Sequence, residues 1–207
     1  MTRRQSLGQH FLISQSVART IATSADITKD DIVLEIGTGK GILLPFLCKD
    51  ARKVISFEID KNLHAYSLAK YSTLQNLDLR YGDGFKSSDS FSVFVSNLPY
   101  SESRKAMEWL LQKKFSRAII MVQKEFAEKI TSKGKEKRAI SVLVNYAANV
   151  EQIIKVNKNN FQPQPKVDSV VLKLVPKKKL SKKLITLVNQ LFSYKRKKIQ
   201  NIYKQFG

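Results

Sequence analysis

The chain has 207 residues, 43% of them hydrophobic, which suits one full-sized domain with a real core and excludes a disordered protein. Lys and Arg number 37 against 17 Asp and Glu, a formal charge of +20 that favours polyanionic partners, nucleic acid first among them. No run reaches the apolar length of a membrane span, no secretory segment opens the sequence, and the one cysteine, Cys48, sits in an apolar run; a reducing cytosol and a core role for Cys48 are expected.

A short entry segment ends in Gly8-Gln-His-Phe-Leu12, and a helix follows with Val17, Ile21 and Ala25 on one face. Ile32–Ile36 is a short apolar run closed by glycines, as buried parallel strands are. Ile42–Leu47 opens a helix whose Pro45 is tolerated in the first turn. Val54–Ile59 then reads as a second strand, Lys61–Lys70 as a helix and Leu77–Tyr81 as a third strand. Phe91–Ser96 makes a fourth strand, followed by a helix through Met107, Leu110 and Leu111; Arg117–Val122 makes a fifth, followed by a helix over Lys124–Ile130. Strands alternating with helices at this spacing predict a parallel sheet covered on both faces, with ligands at the carboxyl ends of the strands.

Beyond this point the pattern changes. Thr131–Arg138 is a charged loop and Ile140–Val150 an apolar helix. Val150–Val156 and Ser169–Val175 are strands with no helix between them, which predicts an antiparallel pair at one sheet edge. After Pro176, Leu184, Val188, Leu191 and Phe192, then Ile199, Ile202, Tyr203 and Phe206, keep helical spacing with a basic opposite face. The expected division is a catalytic domain over 1–176 and a short basic helical region over 177–207. From Val150 to Gly207 there are 14 basic residues and only two acidic ones, Glu151 and Asp168.

Three loops at strand ends carry chemistry. Glu35-Ile-Gly-Thr-Gly-Lys-Gly41 lets a ligand approach the backbone near a helix start, with Gly37 and Gly39 in the cradle. The dinucleotide fingerprint wants glycine where Ile42 stands, so a methionine moiety fits at least as well as a pyrophosphate. In Phe57-Glu-Ile-Asp60 a carboxylate can accept both ribose hydroxyls of an adenosine; Glu58 is the choice and Asp60 the alternative. In Tyr81-Gly-Asp-Gly-Phe85, Asp83 suits an adenine amine, although Asp between glycines is also an ordinary turn residue. Together they describe an adenosine-containing cofactor, S-adenosylmethionine ahead of NAD.

Asn97-Leu-Pro-Tyr100 follows the fourth strand beside these loops. The amine of adenine is a poor nucleophile because its lone pair is delocalised into the ring. Two acceptors on its N–H groups, the Asn97 side-chain oxygen and the Leu98 carbonyl, would draw it toward tetrahedral geometry and free the lone pair. Pro99 holds Leu98 extended and so aims that carbonyl. Tyr100 offers a stacking face, worth about 1–3 kcal/mol per base. Such a site needs no metal and no nucleophile of its own. The plainer reading is an ordinary strand-to-loop turn.

These segments, with Met121-Val-Gln-Lys-Glu125 and Phe161-Gln-Pro-Gln-Pro-Lys-Val-Asp-Ser169, resemble the ribosomal RNA adenine dimethyltransferases from about Gln5 to Pro176. The branch most similar dimethylates two adjacent adenosines near the 3′ end of small-subunit rRNA. The resemblance implies a seven-stranded Rossmann-like fold and S-adenosylmethionine as donor. It carries cofactor contacts onto His10, Leu12, Gly37, Glu58, Asp83 and Asn97, and target-base contacts onto Asn97, Leu98, Tyr100 and Phe161. His10 stands where many members have asparagine. Phe161, on a proline-stiffened loop, reads either as the second face for the base or as a buried anchor.

Family members usually continue into a longer helical C-terminal domain, so the resemblance is to a member with that domain shortened. Lys195, Arg196, Lys197 and Lys198 are expected to grip phosphates of the rRNA or of a pre-small-subunit particle without reading bases. A monomer with no membrane partner is the default. The alternatives are a non-catalytic assembly factor that retains the cavity, or a methylase of large-subunit rRNA.

Overall fold

The computed structural model describes residues 10–131 and 138–194. The elements run β1 (Phe11–Leu12), α1 (Gln15–Ser24), β2 (Ile32–Ile36), α2 (Leu44–Asp50), β3 (Lys53–Glu58), α3 (Lys61–Lys70), β4 (Leu77–Tyr81) and β5 (Val93–Ser96). There follow α4 (Ser103–Leu110), β6 (Arg117–Gln123), α5 (Lys124–Thr131), α6 (Ala139–Ala147), β7 (Ala148–Val156), β8 (Phe161–Gln162), β9 (Ser169–Pro176) and α7 (Lys182–Ser193).

Seven strands form one sheet in the order β4-β3-β2-β5-β6-β9-β7. The first five are parallel; β9 runs antiparallel to both β6 and β7. This is the α/β sheet with an antiparallel edge pair that the sequence predicts. In the nine-residue β7, exposed Glu151, Gln152 and Lys155 face solvent and the register shifts between Gln152 and Ile154. The chain reverses its winding at β2, with β3 on one side and β5 on the other, so the crevice for a ligand opens above these strands.

The period-2 alternation of buried strands divides the core in two. Along β6, Ala118, Ile120 and Val122 join one cluster, while Ile119 and Met121 join the other. The first cluster is covered by Met107 and Leu110 of α4, Ile130 of α5 and Leu143 and Val144 of α6. Ala18 and Ile21 of α1 with Leu44 and Leu47 of α2 cover the second. Leu180 and Ile185 belong to the first cluster, so residues beyond Pro176 pack on the same core as the sheet.

Local chemistry sets the element boundaries. Ser14 caps α1 by accepting the Val17 N–H, and Pro45 falls in the first turn of α2, as its sequence position predicts. Several expected spans shift by a residue or more. The fourth strand begins at Val93 rather than Phe91; just before it, Ser92 Oγ receives the Ile32 N–H and donates to Asp31. The helix expected over Ile140–Val150 ends at Ala147, where pairing of Ala148 with Pro176 starts β7. Among the described residues, no helix is long and apolar enough to cross a membrane.

Candidate active site

The glycine loop after β2 is bound to its neighbour strand. Gly37 and Thr38 both donate N–H groups to the Phe57 carbonyl, and the Gly39 N–H donates to Glu58 Oε2 at 2.7 Å. The other oxygen, Glu58 Oε1, accepts the Asp60 N–H at 2.8 Å, and the residue is only 3% exposed. Glu58 therefore fixes the loop and still has lone pairs for ligand hydroxyls. Asp60 is otherwise employed: its Oδ1 accepts the Asn62 and Leu63 N–H groups and caps α3, and it does not line the cavity. Of the two carboxylates, Glu58 lines the cavity and Asp60 does not.

Above this loop lies a cavity of about 450 Å³, lined among others by His10, Leu12, Gly37, Gly39, Glu58, Asp83 and Asn97. All seven positions expected to touch the cofactor thus face one space. Gly37 has φ +84° and Gly39 φ +58°, and a Cβ at Gly39 would come 3.3 Å from the Phe11 ring, so the cradle exists because these side chains are missing. Asp83 Oδ1 accepts the Phe85 N–H at 3.0 Å, the turn role its glycine neighbours suggest; among the described residues Oδ2 has no protein partner.

Asn97, Leu98 and Pro99 line the same cavity; Tyr100, next in the chain, does not. Among the described residues, neither the Asn97 amide nor the Leu98 carbonyl has a hydrogen-bond partner, which leaves both acceptors available. The Leu98 side chain is buried against the glycine loop, 3.2 Å from where a Gly37 Cβ would stand. Tyr100 is partly buried; its hydroxyl meets Ser169 Oγ at 2.7 Å, and burial pushes the phenol up, so it stays neutral. One face of its ring is taken by His10, whose Nδ1–H donates to the Pro163 carbonyl at 2.7 Å.

Phe161 requires a correction as a face for the target base. It is 3% exposed, packs in the second core cluster and does not line the cavity. The cause is the two-stranded ladder of β1 and β8, in which Phe161 pairs with Leu12 and its ring turns inward. The buried-anchor reading holds. Lys195, Arg196, Lys197 and Lys198 lie outside the described residues. Cys48 is buried, and burial first, with the Glu35 charge second, pushes its thiol up to about 12, so it is inert.

Sequence reasoning assigned no role to Glu35, which lines the cavity at 1% exposure and accepts a short hydrogen bond from Ser56 Oγ. Its signal was available: one acid in an otherwise apolar buried strand. Ser56 Oγ also meets Thr38 Oγ1 at 2.5 Å, so a chain of hydroxyls runs from Glu35 to the glycine loop.

The charges on these walls decide which adenosine ligand fits. A pyrophosphate needs unopposed backbone amides, but the Gly39 amide is taken by a carboxylate, and Glu35, Glu58, Asp83 and Glu102 outnumber Lys40 and Lys105 on the same space. A ligand with a cationic centre and no phosphate suits such walls, and with this sheet the class defined is that of the S-adenosylmethionine-dependent methyltransferases.

Comparison with known proteins narrows the class. Residues 1–207 match the family described as ribosomal RNA adenine dimethylase. The chain is 36% identical to a ribosomal RNA small subunit methyltransferase A of Thermotoga neapolitana, over 98% of this chain and 80% of that protein. It is 35% identical to the protein of that name in Borreliella burgdorferi, over 98% of this chain and 76% of that protein. Among solved structures, a dimethyladenosine transferase of Plasmodium falciparum superimposes with a TM-score of 0.82 at 33% identity, over 94% of this chain and 75% of that one. The 23S rRNA methyltransferase ErmE superimposes with a TM-score of 0.76 at 28% identity, over 92% and 82%. The chain belongs to the ribosomal RNA adenine dimethylase family.

Proposed function

We propose that the protein transfers methyl groups from S-adenosylmethionine to N6 of two adjacent adenosines near the 3′ end of small-subunit rRNA, as a monomer, in the cytoplasm, during subunit assembly. The observation that carries this reading is the pair of acceptors without a partner among the described residues, the Asn97 amide and the Leu98 carbonyl, at a cavity that Glu58 and Asp83 also line. The names of relatives from Thermotoga neapolitana and Borreliella burgdorferi support the small subunit as target.

In this reading His10, Leu12, Gly37, Gly39, Glu58, Asp83 and Asn97 hold the donor. Glu58 accepts from the ribose hydroxyls and Asp83 from the adenine amine. When bound, the sulfonium supplies an activated methyl group and a neutral thioether as leaving group. The chain's own residues position the acceptor. Asn97 Oδ1 and the Leu98 carbonyl accept the two N–H bonds of the target amine and localise its lone pair. Tyr100, between the lining residues Pro99 and Ser101, offers its ring to the unstacked base. The amine proton passes to solvent after transfer, so no strong base is needed. Phe161 supports this arrangement from the core. Residues 1–176 are the catalytic unit and 177–207 its basic extension, where Lys195, Arg196, Lys197 and Lys198 hold phosphates.

The test is reverse transcription across the 3′ region of small-subunit rRNA after incubation with protein and donor. Dimethylation blocks the pairing edge, so enzyme-dependent stops at two adjacent adenosines are expected, and Asn97→Ala should abolish them. Stops on large-subunit RNA alone would move the target. No transfer by a folded, donor-binding wild type on unmethylated subunits would leave an assembly factor instead.

A further inference from the structure

We propose that Glu35 makes the cavity selective for the charged methyl donor over its spent form, releasing a proton when the donor binds and keeping it when the product binds. This deepens the function proposed above and rests on it.

Two buried carboxylates share one cavity wall and are treated differently by the fold. Glu58 of β3 receives two backbone N–H groups, from Gly39 and Asp60. Glu35 of β2 receives only a hydroxyl, Ser56 Oγ, and among the described residues it has no cationic partner. Burial first, and the Glu58 charge with it, push the Glu35 carboxyl up to about 7, against the pull of Ser56. The Cys48 thiol of α2 feels the Glu35 charge and is itself pushed up, so it brings no charge. The remaining titratable groups on the cavity are His10 of the entry segment, Lys40 of the glycine loop, Asp83, and Glu102 and Lys105 beyond the Asn97–Tyr100 turn.

Donor and product differ here by one charge. In transfer the methyl carbon leaves the sulfur, the carbon–sulfur bonding pair stays behind, and the sulfonium becomes a neutral thioether. A cation entering this low-dielectric space lowers the pKa of a half-protonated carboxyl on its wall, and the proton goes to solvent; a thioether does not. The hydroxyl of Ser56 then stabilises the new carboxylate, with Thr38 Oγ1 behind it. Product inhibition is thereby relieved without any movement of the chain.

Isothermal titration of the full chain with S-adenosylmethionine and with S-adenosylhomocysteine, in buffers of different protonation enthalpy, tests this. Near pH 7 the donor should release roughly half a proton, and its affinity should rise about tenfold from pH 6 to pH 8, following the ionised fraction of one group. The product should show neither effect to that extent. Glu35→Gln keeps the Ser56 hydrogen bond; it should abolish the release and shrink the donor-to-product affinity ratio. Titration of the ligand's own amino group persists in that variant, so the difference from wild type isolates Glu35. On wild type alone, the infrared band of a protonated carboxyl should disappear on adding donor and persist on adding product. Unchanged proton release in Glu35→Gln, equal release by both ligands, or no such infrared band overturns the proposal while the methyltransferase reading stands. Failure of both ligands to bind folded wild type overturns both.

Discussion

His10 and Tyr100 lie ring on ring, with centroids 5.6 Å apart and planes 28° from parallel. Because His10 also donates to the Pro163 carbonyl, one imidazole joins the entry segment, the Asn97–Tyr100 turn and the loop after β8. His10→Ala removes a stack and a hydrogen bond, each worth about 1 kcal/mol, and should lower kcat/KM for unmethylated subunits by roughly an order of magnitude. His10→Phe should recover part of this by restoring the stack. Full activity in the alanine variant would show the contact to be incidental.

At Tyr100 the ring and the hydroxyl are separable. Tyr100→Phe loses the hydrogen bond to Ser169, so stability in urea should fall by about 1 kcal/mol while methyl transfer stays within a few-fold. Tyr100→Ala should cost about 1–3 kcal/mol of base stacking, read as a loss of kcat/KM with donor affinity retained. A phenylalanine variant as inactive as alanine would assign the role to the hydroxyl.

The glycine loop and the acceptor turn touch one another, which makes Gly37 a test of both. Gly37 has φ +84°, and a Cβ there would stand 3.2 Å from Leu98 Cδ2. Gly37→Ala adds strain of about 1–3 kcal/mol and pushes on the residue that carries the acceptor carbonyl. Donor affinity and turnover should both fall in a folded protein, measured by calorimetry and methyl incorporation. Loss of affinity alone would show that the two parts are uncoupled.

Glu35 also shapes stability. Its carboxyl is raised from an ordinary value of 4.5 to about 7, so between those values the native state binds a proton that the unfolded chain has lost. Stability of the ligand-free protein should therefore fall as pH rises through this window, by up to about 1.4 kcal/mol per pH unit, and level off above it. Urea unfolding at several pH values should show that slope in wild type and lose it in Glu35→Gln. An identical slope in the variant would place the titrating group elsewhere.

Deleting residues 177–207 would expose core, since Leu180 and Ile185 are 3% and 4% exposed. Charge substitution is the cleaner test of RNA docking. Replacing Lys195, Arg196, Lys197 and Lys198 with glutamine should weaken rRNA binding, and the salt dependence should flatten by roughly 0.7–0.9 for each phosphate that is no longer neutralised. Donor affinity should not change. An unaltered salt slope would exclude these side chains from the interface.

Much of this molecule is legible in its sequence because buried parallel strands are short apolar runs and the glycines that end them are where ligands bind. Asn97, Glu58 and Asp83 could be placed on one cavity for that reason alone. What local pattern could not supply is pairing over long separations. Two-residue strands such as Phe11–Leu12 and Phe161–Gln162 have no periodicity, so their ladder was not predictable, and the sequence left Phe161 open between base face and buried anchor. Glu35 differs: its motif draws attention to the glycines, although a lone acid in an apolar strand was there to be read.

The two borders of the sheet carry a further consequence. On one, Asp78 and Arg80 of β4 are bridged at 2.6 Å, and Lys53 and Asp89 join them. On the other, β7 kinks at its register shift and presents Glu151 and Lys155 outward. A foreign strand approaching either border would meet charge or a bent ladder instead of a straight row of amides and carbonyls. Crowded copies of the chain are thereby denied a template for cross-β growth, and protection against aggregation is built into the outermost strands.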